Sequence, residues 1–258
     1  EDRREIKSVR RIEIFIESLR ELNGATLTEL SEEVDLTLGT VHTYLHTLEQ
    51  IGFIKREDDQ FKLSPRIVAL GEQVRNQSPL YRAAQPQVDK LAQTTGEAVH
   101  LIVQDDGKGI SLYERLGEDA IGTDYHRELR QQSHNLLHCT ASGKAILNEL
   151  PDDHVNEILD SYGLQQQTPN TIIDRSTLFD DLQQIQNRGY AVSDEEEILG
   201  IFAVGTAIKH ENGQLYGSVS ISAPKAHMER SEFRQKVVDE LTRASNAIEA
   251  NLYSIDIE

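Results

Sequence analysis

The sequence predicts an α+β fold in two parts: a small N-terminal domain and a larger C-terminal domain. Apolar residues recur at helical spacing through the first 50 residues, and a short hairpin signal follows them. After residue 97, β-prone runs alternate with helical patterns to the end of the chain. A length of 258 residues suits two domains. We expect boundaries at residues 1–66, 67–79 and 80–258, with the middle segment a helical linker.

The first helix is predicted over residues 6–22, and Asn23-Gly24 ends it. Its apolar side chains fall at i, i+3 and i+4 spacing on one face: Val9, Ile12, Phe15, Ile16 and Leu19.

Residues 27–52, LTELSEEVDLTLGTVHTYLHTLEQIG, predict two short helices joined by a tight turn. Thr26 and Glu29 have the spacing of a capping box at the first helix. Asp35 tolerates the left-handed backbone that such a turn needs. Thr37 can cap the second helix.

The outward face of this second helix carries hydroxyls, imidazoles and a glycine where a surface helix usually carries charges. Such a face can enter a DNA major groove and reach base edges. The same residues are also compatible with an ordinary helical hairpin that has a polar rim. For DNA recognition the base-edge candidates are Leu38, Gly39, Thr40, His42, Thr43 and His46.

Two short β-prone runs, residues 53–57 and 61–63, flank Asp58-Asp59-Gln60 and predict a hairpin. A helix-turn-helix followed directly by a basic hairpin is a winged helix. The expected phosphate contacts are Lys55, Arg56 and Lys62 on the wing, with Thr37 at the helix start. The alternative is a solvated hairpin.

Ser64-Pro65 ends the wing, and an amphipathic helix follows as far as the break at Ser78-Pro79. The C-terminal domain should combine long antiparallel hairpins with helices on one side. Its strands are predicted at residues 98–103, 110–113, 189–192, 201–209 and 216–222, and its helices at residues 80–95, 141–149, 153–162, 176–187 and 231–252.

The charge is unusual for a nucleic-acid-binding protein. Lys and Arg number 26 against 44 Asp and Glu, a net charge of −18. Residues 1–66 alone hold ten basic and fourteen acidic residues, a net of −4. This balance opposes binding to a polyanion in ordinary salt. Either the protein does not bind DNA, or it works in very high salt, where the Debye length is about 3 Å at 1 M. Nine lysines against 17 arginines, with abundant acid, favour a halophile.

Several classes of protein are disfavoured. No apolar run approaches the roughly 18 to 20 residues of a membrane span, and the charged N-terminus does not resemble a signal peptide. One cysteine, Cys139, forbids an intrachain disulfide, so a cytoplasmic protein is expected. His138-Cys139 offers too few ligands for zinc, and the acidic run at residues 194–197 is expected to be solvated. We therefore predict no metal, no cofactor and no catalytic site.

Residues 8–71 resemble the DNA-binding domain of the IclR family of transcriptional regulators, through SVRRIEIFIESL, LTELSEEVDLTLGTVHTYLHTLEQIGFIKRE and FKLSPRIVALG. LLHCTASGKAIL, GYAVSDEEEILGIFAVGTAI and GSVSISAP resemble that family's effector-domain blocks. The resemblance implies a winged helix-turn-helix domain joined by a helical linker to a GAF-like α/β effector-binding domain. It also implies a transcriptional regulator, a homodimer or homotetramer, that binds a palindromic DNA operator under the control of a small-molecule effector. The family often has an arginine where this chain has Thr43.

The residues of the effector-domain blocks could bind a small anion. Thr140 to Gly143 open a helix, where free N–H groups and the helix dipole favour negative charge. Ser218, Ser220 and Ser222 have period 2 and share one strand face. The resemblance maps the effector pocket onto Ala141, Ser142, Ser193 or Asp194, Ala203, Ser220 and Ser222.

Members that bind small 2-oxo acids have glycine at the Ala141 position and cysteine at the Ala203 position, so the alanines here argue against the same ligand. An organic acid or a sugar-derived metabolite is expected. Two rival functions stay open. One is a small-molecule sensor that acts through protein partners. The other is an enzyme, for which no convergent acid, base and nucleophile is present.

Overall fold

The computed structural model describes residues 6–120 and 136–255. Contacts along the chain divide it into two units, Glu1–Arg75 and Asn76–Glu258. Within the described residues, none of the helices has the length and apolar character needed to cross a membrane.

The N-terminal unit has a three-helix core closed by a small antiparallel sheet in the order β1-β3-β2. Its elements are α1 Lys7–Glu21, β1 Ala25–Thr26, α2 Leu27–Glu33, α3 Leu38–Gln50, β2 Ile54–Glu57 and β3 Gln60–Leu63. The predicted apolar faces meet in one core that buries Phe15, Leu30, Val41, Leu45 and Phe61. The predicted winged helix-turn-helix is confirmed.

Local hydrogen bonds fix the turn between α2 and α3. Thr26 Oγ1 accepts from the Glu29 N–H at 3.3 Å, and Glu29 Oε2 accepts from the Thr26 N–H at 2.8 Å. Asp35 has a left-handed φ of 49°. Thr37 Oγ1 accepts from the Thr40 N–H at 3.4 Å at the start of α3. The predicted capping box, turn and cap are all confirmed.

Helix α4, Arg66–Gln77, has no buried residue. Its apolar residues Val68, Leu70 and Val74 are 64%, 42% and 67% exposed. The sequence predicts an amphipathic helix, and most of its apolar side is exposed, with Ile67 half-buried.

The C-terminal unit is built on one antiparallel sheet of five strands in the order β5-β4-β8-β7-β6. Its strands are β4 Ala98–Asp105, β5 Lys108–Arg115, β6 Ala191–Asp194, β7 Ile201–Lys209 and β8 Leu215–Pro224. Its helices are α5 Pro79–Thr95, α6 Ala141–Leu147, α7 Asp152–Tyr162, α8 Arg175–Arg188, α9 Lys225–Met228 and α10 Ser231–Ile255.

Helices cover both faces of this sheet, so the expectation of helices on one side was wrong. Val219 and Ile221 of β8 belong to a core shared with α5 and α10. The alternate residues of the same strand face the side where α6 packs on β7 and β8. A second core joins α6, α7 and α8. The large apolar content of residues 141–188 requires this second layer.

Two glycines let the start of α6 lie close to its neighbours. A Cβ at Gly205 on β7 would lie 2.8 Å from the backbone carbon of Ala141. A Cβ at Gly143 would lie 2.3 Å from the backbone oxygen of Leu137. The backbone therefore has no room for side chains at these points, and the first turn of α6 is held against the sheet.

Candidate DNA interface and ligand cavity

The outer side of α3 is exposed, as the sequence predicts. Leu38, Gly39, His42, Thr43 and His46 are exposed, and Thr40 is half-buried. The His42 and His46 rings stack one turn apart, with centroids 6.3 Å apart and planes 7° apart. This gives α3 two parallel imidazoles on the face that would meet a groove.

Most threonines of this face already use their hydroxyl hydrogens within the helix, and one hydrogen of the Thr37–Thr40 pair remains available. Thr43 Oγ1 donates to the Gly39 carbonyl at 2.9 Å, and Thr47 Oγ1 donates to the Thr43 carbonyl at 2.8 Å. Thr37 and Thr40 share a hydrogen bond of 2.9 Å. In this arrangement the threonines present lone pairs outward, and the imidazoles supply the other polar contacts.

The wing cations are paired with acids of the same hairpin. Lys55 Nζ and Lys62 Nζ lie 2.5 Å and 3.0 Å from the two carboxylate oxygens of Glu57. Hydrogen bonds from these two lysines, together with their positive charges, hold the pKa of Glu57 below its usual value. Arg56 donates to the Asp58 carbonyl at 3.0 Å and lies over the Phe61 ring. A phosphate that bound either lysine would therefore have to compete with Glu57.

A cavity opens between the start of α6, the segment after β6 and the middle of the sheet. We call it the serine cavity, because Ser142, Ser220 and Ser222 line it. Its volume is about 30 Å³. Ala141 and Ala203 also line it, so five of the predicted effector-site residues meet there.

The other two predicted residues are held elsewhere. Ser193 is buried and donates to the Cys139 carbonyl at 2.8 Å. Asp194 is paired with Lys225 at 2.8 Å. Neither lines the serine cavity. Ser193 instead ties β6 to the segment that leads into α6.

Thr140, which was expected at the start of this helix, also lines the cavity, and so do His100 and Glu197, which the sequence did not predict. His100 Nε2 lies 2.8 Å from Ser222 Oγ, and its Nδ1 lies 3.4 Å from a Glu114 carboxylate oxygen. Because side chains alternate along a strand, the sequence predicts which neighbours share a face of β4 with His100. Only the pairing of β4 with β8, more than a hundred positions away, brings it to the serines.

One backbone N–H group in the first turn of α6 is already bonded to the N-cap residue of the helix. Thr140 Oγ1 accepts from the Gly143 N–H at 2.9 Å, so this N–H group is not available to a ligand. Thr140 also donates to the Leu136 carbonyl at 3.4 Å. The cavity therefore depends on side-chain hydroxyls more than the sequence reasoning expected.

The segment after β6 is anchored by buried charge. Lys144 is 1% exposed, and its Nζ donates to Asp181 and Glu196, each at 2.7 Å. Burial raises the pKa of Glu196, although the adjacent Lys144 ammonium opposes this shift. The expectation that residues 194–197 are solvated was therefore wrong for Glu196. This ion pair links α6, whose start lines the cavity, to the residue before Glu197.

His138 and Cys139 show no arrangement for metal binding or catalysis. Cys139 is buried, and desolvation raises the pKa of its thiol well above the usual range. His138 Nε2 lies 3.0 Å from the Gln165 carbonyl, and burial lowers its pKa. Over residues 6–120 and 136–255, no group of three or more His, Cys, Asp or Glu is placed to hold a metal ion.

Comparison with known families matches both units. The "IclR helix-turn-helix domain" matches residues 10–58, and "Bacterial transcriptional regulator IclR C-terminal" matches residues 72–250.

Relatives of known name are similar over most of the chain. The "Probable HTH-type transcriptional regulator ArcR" of Halobacterium salinarum is 36% identical over 252 residues, which cover 96% of this chain and 95% of the relative. The "Transcriptional repressor IclR" of Escherichia coli is 28% identical over 225 residues, covering 85% and 81% of the two chains. The crystal structure of Thermotoga maritima IclR has a TM-score of 0.67 at 28% identity, and covers 89% of this chain and 91% of that one.

These relatives are transcriptional regulators and not enzymes. Because the two family matches together span most of its length, the chain belongs to the IclR family, whose members bind DNA and respond to small-molecule effectors.

Proposed function

We propose that the N-terminal winged helix reads a palindromic operator as part of a homodimer or homotetramer. In this proposal residues 1–66 bind DNA, residues 67–79 link, and residues 80–258 bind the effector. The base-edge and phosphate contacts are the α3 and wing residues named from the sequence. Two heads would sit on half-sites about 34–36 Å apart, or a multiple of this distance. The exposed apolar residues Val9 on α1 and Val68 and Val74 on α4 support pairing with a second copy.

The effector site is the serine cavity. The observation that carries this proposal is the convergence of Ala141, Ser142, Ala203, Ser220 and Ser222 on one small cavity from three separate elements. The strand order β5-β4-β8-β7-β6 supports a GAF-like sensor. The ligand is a small organic acid or a sugar-derived metabolite. If the ligand changes the affinity for DNA, then DNA must change the affinity for the ligand by the same factor, which is typically about 5- to 150-fold.

The acidic charge is compatible with DNA binding if the protein functions at very high salt concentration. The net charge of −18 and the 36% identity to a Halobacterium salinarum protein both support a halophilic, intracellular regulator. At molar salt, repulsion between the chain and DNA is screened within about 3 Å. Short-range contacts from α3 and the wing then decide binding.

Operator binding should survive molar salt. The full chain would be titrated against the DNA upstream of its own gene, from about 0.1 M to 3 M KCl, with and without a panel of organic acids and polyols. We expect sequence-specific binding at and above about 1 M KCl that one class of small molecule changes. A folded, dimeric protein with no specific binding at any salt would contradict the proposal and favour a sensor that acts through protein partners.

Glu57→Gln should strengthen DNA binding. The change releases Lys55 and Lys62 for phosphates, because Glu57 holds both lysines in the free protein. We expect a roughly 3- to 10-fold gain in affinity and a steeper dependence of log K on log salt, by about one phosphate contact or more. Fluorescence anisotropy across a salt series measures both.

Glu32→Gln is the matched control. It removes the same charge from exposed α2, where none of the described lysines or arginines contacts Glu32. Equal gains from the two variants would show that only net charge matters. The wing contacts would then not be supported.

A further inference from the structure

We infer that the serine cavity selects a small uncharged vicinal diol over a carboxylate, and that His100 sets this selectivity. The inference rests on the proposed function in one respect only, which is that the serine cavity is the effector site. It chooses between the two proposed ligand classes.

His100 is fixed between side chains of two neighbouring strands. It lies directly opposite Glu114 on β5 and Ser220 on β8. Its Nδ1 lies 3.4 Å from Glu114, and its Nε2 lies 2.8 Å from Ser222 Oγ. The negative charge of the Glu114 carboxylate favours the tautomer that carries its hydrogen on Nδ1. In that tautomer Nε2 accepts, and the Ser222 hydroxyl must donate to it.

The two serines therefore offer opposite hydrogen-bonding groups. Ser222 has one hydroxyl hydrogen, and His100 holds it, so its oxygen presents lone pairs to the cavity. Ser220 is 4% exposed, and within the described parts of the chain its hydroxyl has no hydrogen-bond partner. Its hydrogen is free to turn to a ligand. A ligand oxygen that accepts from Ser220 gains a hydrogen bond there.

Spacing on the strand then indicates two ligand oxygens. Residues two apart on a strand are separated by about 6.7 Å, more than two hydrogen bonds of about 2.8 Å can span through one oxygen. In a vicinal diol one oxygen can accept from Ser220 while the neighbouring hydroxyl donates to Ser222. A carboxylate has no hydrogen for Ser222, so one of its oxygens would face lone pairs.

The size of the cavity limits the ligand to a few atoms. A volume of about 30 Å³ is room for about two ordered waters. Two hydroxyls of a short diol can take the places of two such waters. Longer sugars would require the segment after β6 to move.

The experiment compares ethane-1,2-diol with potassium acetate, a carboxylate without a hydroxyl, on the full chain, without DNA, at pH 8 and constant potassium. Ligand-observed NMR titrations would give both dissociation constants. We expect the wild-type chain to bind the diol about tenfold more tightly than acetate, the equivalent of one lost hydrogen bond. His100→Leu frees the Ser222 hydrogen, so the preference should vanish or reverse. Ser222→Ala should also abolish the preference with His100 intact.

Ser218→Ala is the control. Ser218 lies on the same strand face and is fully buried, but it does not line the cavity. This variant should leave both dissociation constants unchanged. The inference is overturned if wild type prefers acetate or shows no preference, if neither ligand binds, or if folded His100→Leu and Ser222→Ala chains keep the preference. Because no DNA is present, failed operator binding would sink the proposed regulator without changing this comparison.

Discussion

Lys144→Met should lower the free energy of unfolding by about 3–5 kcal/mol, because it leaves buried carboxylates without their cation. Lys144 is 1% exposed and contacts Asp181 and Glu196, whose side chains are 17% and 10% exposed. Arg188 lies 3.4 Å from Asp181 and can compensate only that partner. Methionine fills similar space but carries no charge. Urea unfolding at fixed KCl, followed by circular dichroism, measures the loss.

The loss should also depend on pH. Burial raises the pKa of Glu196, so its charge is neutralised before that of an ordinary carboxyl as the pH falls. A raised folded pKa means that stability is highest at low pH and is lost as pH rises. The stability lost in Lys144→Met should therefore become smaller as the pH falls from 7 to 5. A penalty that stays constant over this range would show that Glu196 is not the uncompensated charge.

Lys209→Met is the control for this variant. Lys209 is paired with Glu149 at 2.8 Å, but its side chain is 41% exposed. Removing an exposed pair should change stability by less than about 1 kcal/mol. Similar losses in the two variants would mean that burial is not the cause.

Gly143→Ala should destabilise the C-terminal unit by about 3 kcal/mol and disrupt the serine cavity. The added Cβ would lie 2.3 Å from the Leu137 oxygen and 2.4 Å from its Cα. Both are backbone atoms, so no side-chain rotation can relieve the contact. The segment before α6 must move, and Thr140, Ala141 and Ser142 move with it. Thermal unfolding and diol titration of the same sample measure the two effects.

Gly71→Ala is the matched helical control. A Cβ at Gly71 in α4 would meet nothing within 4 Å. Alanine is favoured over glycine in a helix by about 0.5–1 kcal/mol, so this variant should gain slight stability. If Gly143→Ala were equally harmless, the close approach of α6 to Leu137 would not exist in solution.

The features that the sequence predicted well are local. The Thr26 capping box, the Asp35 turn and the Thr37 cap each involve residues within a few positions, and all three have the expected geometry. Helix and strand periods likewise located most elements of both units. The start of α6 was predicted because Thr140 is a strong cap followed by a helical run.

The features that the sequence did not predict are contacts between distant segments. His100 joins Ser222 across 122 positions, and Lys144 joins Glu196 across 52. A lysine is normally read as a surface residue, and nothing near Lys144 in the sequence marks it as buried. Whether Ser193 and Asp194 reach a cavity depends on side-chain directions at the end of β6. The structure shows that they point to Cys139 and Lys225 instead.

The pairing of Glu57 with Lys55 and Lys62 has a consequence for how the protein searches a genome. If these lysines contact phosphates as proposed, a carboxylate that must be displaced lowers the affinity for every stretch of duplex by the same factor, whatever its sequence. The proposed base-edge contacts from α3 would not change, so the ratio of operator to random-site affinity would be preserved while residence on random sites shortens. A genome offers about 10⁶ or more competing sites, so a shorter residence time on each of them leaves more free protein to find the operator.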